Sequence, residues 1–438
     1  MTGPVTTDGP AAWLFDFMNT FYDANAIYDA GSKAMKGSPF KYGTQLFEMN
    51  HLLRTAELQR DMMNGTYRPG PGQKFQIRER GKSRFITSNT MVDKTVNHLL
   101  CDDVLSPALR KYLIYDNGAS QKGKGVSFHR KRFEAHLHKY YSTYGTNEGY
   151  ALLVDFSGYY ANIPHDRCIE VLHYFLEREV KDPEELRVAK ELIGHIFRTF
   201  EIDVSRFSDE EIAEMYNGKV DPMLNISVDP GALTGEKMLR KGVDIGNQTS
   251  QDIGIIYPHR IDNYAKIVMG VKNYGRYTDD FYAFHPDKAF LRALLDGIRT
   301  IAEDYGLIIN ERKTRICKLS QPFRHLQICY ALTDTGRVIR KINPKSITRE
   351  RRKLKAYKRL LDQGRIDYDT IENAFKSWIG GHFKYMSMQQ IAHMSDLYQQ
   401  LYGRRPTWKT GHSRLRWLMA QSSTGSASTA TTTSAPRS

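Results

Sequence analysis

Two neighbouring carboxylates, Asp279 and Asp280, constrain this chain more than any other feature. They sit within Asn273-Tyr-Gly-Arg-Tyr-Thr-Asp-Asp-Phe-Tyr-Ala-Phe284, between two runs whose aromatic content is that of strands. Side chains alternate along a strand, so adjacent acids can serve one site only if a turn lies between the runs. The pattern calls for a hairpin with Tyr277-Thr278-Asp279-Asp280 at its tip, where a hard divalent cation seeking oxygen ligands could reach both acids. An acid pair alone says little: Asp102-Asp103 is a second copy, expected on a helix surface.

A third acid makes the pair informative. Asp155 ends the apolar run Tyr150-Ala-Leu-Leu-Val154 and precedes Phe156-Ser-Gly-Tyr-Tyr160 and Asn162-Ile-Pro-His-Asp166. This reads as a buried strand whose carboxylate emerges at its end, followed by a helix start. Such an acid is a turn or cap residue unless it converges with the hairpin, in which case the three acids form one cation-binding group.

At 438 residues the chain is long enough for two or three subdomains with a substantial core. Its formal net charge of +14 points to an extended polyanion, with nucleic acid the best fit and a merely well-solvated basic protein the alternative. No apolar run is long enough to span a bilayer, which argues against a membrane partner. Cys101, Cys168, Cys317 and Cys329 have neither metal-ligand spacing nor the look of a disulfide framework, and no signal peptide opens the chain. A cytoplasmic protein with reduced thiols is expected.

Along the chain, a polar start gives way to helical spacing across Ala11 to Met18, Phe21-Tyr22 and Ala26 to Tyr28, and again from Tyr42 to Met62. The stretch Phe75 to Ile86 alternates about Arg80-Gly81-Lys82 and reads as a hairpin from which Arg78, Lys82 and Arg84 project together to grip a triphosphate. An edge hairpin kept soluble by its charges is the alternative. Val92 to Leu113 reads as one amphipathic helix. The glycine-rich, basic Tyr115 to Gly125 is either an open phosphate-binding loop or a flexible surface loop; it lacks P-loop spacing. Arg167 to Phe200 reads as two helices broken at Lys181-Asp-Pro183, Glu201 to Gly242 as an irregular insertion, and Ile253 to Ile267 as an apolar helix. From Asp334 to Arg359 there are eleven Lys or Arg against two acids, a net of +9. A helix from Ser346 to Leu361 would present Arg349, Arg352, Lys353, Lys355, Lys358 and Arg359 to a phosphate backbone. Residues 421–438 are Ser/Thr/Ala-rich and expected to be disordered.

Taken in order, these motifs resemble the reverse transcriptases of bacterial retroelements over residues 50 to 345, anchored by the Tyr-x-Asp-Asp box at Tyr277 to Asp280 downstream of the Asp155 strand. The resemblance implies an α+β right hand: a helical extension (1–65), basic fingers (66–145), an antiparallel-sheet palm (146–335, with the insertion 201–242) and a basic helical thumb (336–420). It implies that Asp155, Asp279 and Asp280 hold two Mg²⁺ ions, with Mn²⁺ as a substitute, and that Lys313 protonates the leaving pyrophosphate. Lys82 and Arg84 would meet the triphosphate, and Tyr160 would place a ring under the sugar that excludes a ribose 2′-hydroxyl. Ile245, Gly246 and Gln251 belong to Ile245-Gly-Asn-Gln-Thr-Ser-Gln251, where many relatives carry Gln-Gly-x-x-x-Ser-Pro. This version is similar to enzymes of diversity-generating retroelements and of defence-associated groups. Replacement of the family's glutamine by Ile245 implies looser template selection.

A second departure, His325-Leu-Gln-Ile-Cys329 at the primer grip, bears on primer geometry. The implied partners are a template RNA, plausibly a dedicated non-coding one, a primer and DNA product, and dNTPs; an accessory protein or oligomer is compatible with the pattern. Untemplated DNA synthesis, RNA copying into RNA, and an idle nucleic-acid-binding scaffold are the other readings. Retention of three acids and Tyr160 weighs against the scaffold, and Tyr160 weighs against ribonucleotides.

Overall fold

A computed structural model describes residues 19–70, 72–79, 82–218, 220–221, 224–225 and 228–407, without the side chains of Glu79 and Lys82. The first part of the expected helical stretch, from Ala11 to Met18, the Arg80-Gly81 tip and the tail from 421 lie outside the described residues, while the later part of that stretch is helical as Thr20–Tyr22 and Ala24–Met35. Among the described residues two compact units emerge, one built from 19–136 together with 150–316, the other from 137–149 together with 317–407.

In the first unit, β1 (Gln73–Glu79) and β2 (Lys82–Ser88) form an antiparallel hairpin. A four-stranded sheet comprises β3 (Tyr150–Val154), β6 (Tyr274–Tyr277), β7 (Asp280–His285) and β8 (Arg315–Lys318), in the order β6-β7-β3-β8. Both neighbours of β7 for which register is defined run antiparallel to it, with Val154 opposite Phe281 and Tyr277 opposite Asp280. The α+β class with an antiparallel sheet is therefore as expected. Phe281 to Phe284 are all buried, because β7 is covered on both faces. Phe281 meets Phe156, with ring centroids 5.5 Å apart. On the opposite face Tyr282 packs edge-on against Phe133 of the helix Val126–Tyr144, at 4.6 Å. Two-sided burial produces a continuous apolar run instead of alternation. It also leaves no room opposite Tyr282: a Cβ on Gly275 would stand 2.6 Å from its hydroxyl oxygen.

One charged residue sits inside this apolar sandwich. Arg276 is fully buried on β6, and each nitrogen of its guanidinium donates. Nε reaches both oxygens of Asp262 at 3.0 Å, and Nη2 donates to Asp262 Oδ2 and to the Ile255 carbonyl, each at 2.6 Å. Nη1 donates to the carbonyl of Thr278 in the hairpin turn at 3.1 Å. Asp262 also accepts the Tyr274 hydroxyl at 2.7 Å. The backbone is tied as well: Arg276 N–H donates to Asp116 O at 3.1 Å and Gly118 N–H to Arg276 O at 2.9 Å. The glycine-rich stretch from Tyr115 thus begins as a brace for the hairpin. Asp116 itself is buried, which alone would raise its pKa, but His136 and Arg132 hold it down at about 2.

Several helices are shorter than their periodicity predicts. Tyr42 to Met62 divides into Tyr42–Met49 and His51–Met63, because Asn50 leaves helical geometry (φ −112°, ψ 18°) and its side chain bonds back to Leu46 O. Val92 to Leu113 divides into Met91–His98, a π-helical stretch Leu99–Leu105 that contains Asp102, and Ser106–Arg110. The apolar helix expected from Ile253 to Ile267 begins earlier, as Gln248–Ile256, and breaks at Pro258 before His259–Asn263. The insertion is not irregular: β4 (Ile202–Asp203) pairs with β5 (Met238–Leu239), and Ser208 and Glu211 form a capping box on the helix Asp209–Asn217. Val204, Val220 and Leu239 give it a small core of its own.

The second unit contains the antiparallel sheet β9 (Phe323–His325), β10 (Ile328–Leu332) and β11 (Val338–Ile342), in the order β11-β10-β9. The helices Pro344–Asp362, Tyr368–His382 and Met388–Tyr402 close around Leu354, Phe375, Ile379, Met394 and Tyr398.

The buried pair makes a clear prediction for stability. Truncating Asp262 to alanine leaves the Arg276 charge buried and uncompensated, so urea denaturation should show a loss of about 3–5 kcal/mol. The double change Arg276→Met with Asp262→Leu should recover most of it; a single-variant loss under about 1 kcal/mol would contradict the clamp.

Candidate active site

Strand β3 ends in Asp155, and the segment before β8 wraps that acid. Asn310 N–H donates to the Asp155 carbonyl at 2.8 Å, and Asp155 N–H donates to Thr314 Oγ1 at 3.3 Å. The carboxylate accepts Lys313 Nζ on both oxygens, at 2.8 and 2.6 Å, and Asn310 Nδ2 at 3.0 Å. Asp155 is thereby fixed in direction, with 14% of its side chain exposed.

Next to β3, the β6–β7 hairpin turns in two residues between the paired Tyr277 and Asp280. Thr278 has φ +54°, rare for a β-branched residue. The Arg276 bond to its carbonyl helps hold that conformation. The turn presents Asp279 toward Asp155. Burial first, and then the charge of Asp155, raise the Asp279 pKa from 3.8 to about 6, against the pull of Lys313 and Arg84. Two neighbouring carboxylates, one of which raises the other's cost of ionisation, at the ends of adjacent strands, are a donor set suited to a hard dication. Among the described residues no three His, Cys, Asp or Glu side chains stand together at the spacing of a preformed metal cage.

Asp279, Asn310 and Lys313 border a cavity of about 590 Å³. Arg84, Phe85 and Thr87 of β2 form one wall, the turn Ser157 to Ala161 another, and Lys241 to Ile245 a third. Val220 and Asp221 of the insertion also reach it. The β2 wall is bolted to the third. Thr87 N–H donates to Ile245 O at 2.9 Å, its hydroxyl donates to Asp244 Oδ2 at 2.6 Å, and Lys74 Nζ lies 3.5 Å from the same oxygen. Gly246 is required at this joint: its φ is +129°, and a Cβ would stand 2.5 Å from Thr87 O.

Most of the sequence-predicted residues therefore gather. Asp279, Lys313, Arg84, Tyr160 and Ile245 line the cavity, Asp155 holds Lys313, and Gly246 joins the walls. Asp280 opens β7 at the hairpin tip. Lys82 opens β2 opposite Glu79. Gln251 does not join them; it lies on the exposed face of the helix Gln248–Ile256, away from the cavity lining. Arg78 is a further correction. It pairs with Ser83 while Arg84 pairs with Ile77, so alternation places Arg78 and Arg84 on opposite faces of the hairpin, and they do not project together. In the second unit Arg349, Arg352, Lys355 and Arg359 are exposed and recur as one stripe of the helix Pro344–Asp362. Lys353 lies 3.9 Å from Glu350, and Lys358 pairs with Asp362, so these two are partly neutralised.

Sequence reasoning missed Arg276, Asp262, Asn310 and Thr314. For Arg276 a signal was present, since an arginine inside an aromatic strand run must find a buried acid. Asn310 and Thr314 flank Lys313 but carry no pattern of their own.

No protein-family model matches the chain, and no curated protein does. Among solved structures it is similar to a telomerase from Candida albicans in complex with a TWJ fragment of telomeric RNA, at 13% identity and a TM-score of 0.40, covering 82% of this chain and 62% of that one. It is also similar to an apo telomerase from Candida tropicalis, at 13% identity and a TM-score of 0.42, covering 82% and 66%. The chain thus spans less than two thirds of the length of these telomerases. The likeness is distant, and the chemistry of the cavity is read from its own side chains.

The raised Asp279 pKa gives a signed pH dependence. Because the folded value of about 6 exceeds the ordinary 3.8, this group's contribution to stability is fully present below 3.8 and lost as pH rises through 6. In EDTA, Asp279→Asn should therefore melt a few °C above wild type at pH 7.5, with the gap closing below pH 5. A gap that does not depend on pH would contradict the assignment.

Proposed function

We propose that the chain is an RNA-directed DNA polymerase of a bacterial retroelement or anti-phage system, joining deoxynucleotides to a primer 3′-hydroxyl with release of pyrophosphate. The observation that carries this reading is the meeting of Asp155 and Asp279 across adjacent strands. They lie close enough for one to hold up the other's pKa, at the mouth of a cavity walled by Arg84 and Tyr160. The order of these residues in the chain, and the resemblance their motifs carry, supply the choice of template and product.

Asp155, Asp279 and Asp280 would hold the divalent cations. When bound, such ions would lower the pKa of the attacking hydroxyl and neutralise charge on the leaving group. The protein's own groups have separable tasks. Arg84 on β2 meets phosphate oxygens with a planar fork of donors. Lys313 pairs with Asp155 and lines the cavity, where its ammonium would give a proton to the departing pyrophosphate. Tyr160 closes the floor beneath the sugar, and its hydroxyl stays protonated because burial and the charge of Asp279 both raise its pKa. The exposed stripe from Arg349 to Arg359 supplies phosphate contacts to a duplex.

The test is extension of a DNA primer annealed to an RNA template, with Mg²⁺ and either dNTPs or NTPs. Wild type should make template-complementary DNA and little RNA. Asp279→Asn/Asp280→Asn should lose about a thousandfold or more, the scale on which an electrostatic catalytic element acts. Product lacking template sequence would replace this reading with untemplated synthesis, and tight salt-sensitive binding without product would replace it with a scaffold.

A further inference from the structure

The helix Gln248–Ile256 carries a buried glycine, Gly254, in its interior. Glycine weakens a helix interior, and Gly254 has no positive φ to require it. Space accounts for it. A Cβ at Gly254 would stand 2.2 Å from the hydroxyl oxygen of Tyr160 and 2.8 Å from the ring carbon that bears it. Both distances fall far inside van der Waals contact, so alanine at this position and the present ring position exclude each other.

The surroundings decide which way the ring would move. The Tyr160 backbone is pinned, since Val243 N–H donates to its carbonyl at 2.8 Å. The ring of Tyr159 stands edge-on beside it at 5.2 Å, and the Tyr159 hydroxyl donates to the Gly254 carbonyl at 3.0 Å. Tyr159 is itself buried and cannot retreat. With the helix on one side and Tyr159 on another, the open side of Tyr160 is the cavity that it lines.

We infer that Gly254 is a positioning residue for substrate selection: by lacking a side chain it seats the Tyr160 hydroxyl against the helix and so sets how far the ring projects into the cavity. This rests on the polymerase reading, in which the ring meets the sugar. A side chain at 254 pushes the ring outward, crowding a deoxyribose and excluding a ribose more severely. The opposite change, removal of the ring, makes Gly254 irrelevant.

Single-nucleotide incorporation of dTTP and UTP tests this in wild type, Gly254→Ala, Tyr160→Phe, Tyr160→Ala and the two double variants. Gly254→Ala should raise KM for dTTP about tenfold with kcat within about twofold, and widen the preference for dTTP over UTP. Its melting temperature should be no lower than that of wild type, a split that a purely structural defect would not give. Tyr160→Phe, which removes the closest atom, should relieve much of the KM effect. In the Tyr160→Ala background Gly254→Ala should change nothing further. If Gly254→Ala alone is unstable, recovery of folding in the Tyr160→Phe background supports the clash, and no recovery overturns it. An unchanged KM, or a rise that the Tyr160 changes leave intact, overturns the inference while wild-type activity upholds the polymerase reading. A wild-type chain that incorporates no nucleotide overturns both.

Discussion

The hairpin that carries Asp279 depends on one buried ion pair. Arg276 and Asp262 have no access to water, and burying a charge is costly unless every polar atom finds a partner. Here the guanidinium meets two carboxylate oxygens and two backbone carbonyls, one from Ile255 and one from the turn at Thr278. A hydrophobic pair of equal volume would hold the strand as well. It would not fix the turn, because only a fork of donors can grip the Thr278 carbonyl and the helix beyond it together. The direction in which Asp279 points is thus set by a group three residues away, on the far side of the turn.

The resulting site is held in an unfavourable electrostatic state. Burial and the charge of Asp155 oppose the ionisation of Asp279, while the direct bonds of Lys313 and Asn310 go to Asp155 alone. Thr278 adds backbone strain at φ +54°. Such features persist only where the surrounding structure over-determines them. The clamp at Arg276, the wrap of Asn310 and Thr314 around Asp155, and the bolt between Thr87 and Asp244 do so from three directions. In the proposed function a bound dication would relieve the cost of ionising Asp279 that these contacts sustain.

What could be read from the sequence follows from which interactions are local. The run Tyr150 to Val154 ending in Asp155, and the hairpin around Asp279, were legible because strand propensity, burial and turn are all encoded within a few residues. The parity of Arg78 was not, since alternation alone does not fix strand register and a shift of one residue reverses faces. The break at Asn50 went unread because a single polar residue between two periodic runs looks like a solvent-facing position. The insertion was misread from its prolines and glycines, although Ser208-Asp-Glu-Glu211 carried a capping-box signal. Gln251 was carried in from a family motif, and its exposed position shows that a motif's last residue can serve the helix alone. Gly254 and Asn310 have meaning only through partners about a hundred residues away or more, and no local pattern reports them.

The claim on which the rest stands is that the strand-end and hairpin acids jointly hold divalent ions at a primer end. The most direct measurement is a Mn²⁺ count by electron paramagnetic resonance, on protein bound to a chain-terminated primer, RNA template and the next dNTP. About two ions per chain in wild type, falling together when Asp155 or Asp279 becomes asparagine, is the result expected of a shared site. Equal Mn²⁺ occupancy in wild type and in Asp155→Asn/Asp279→Asn would contradict it.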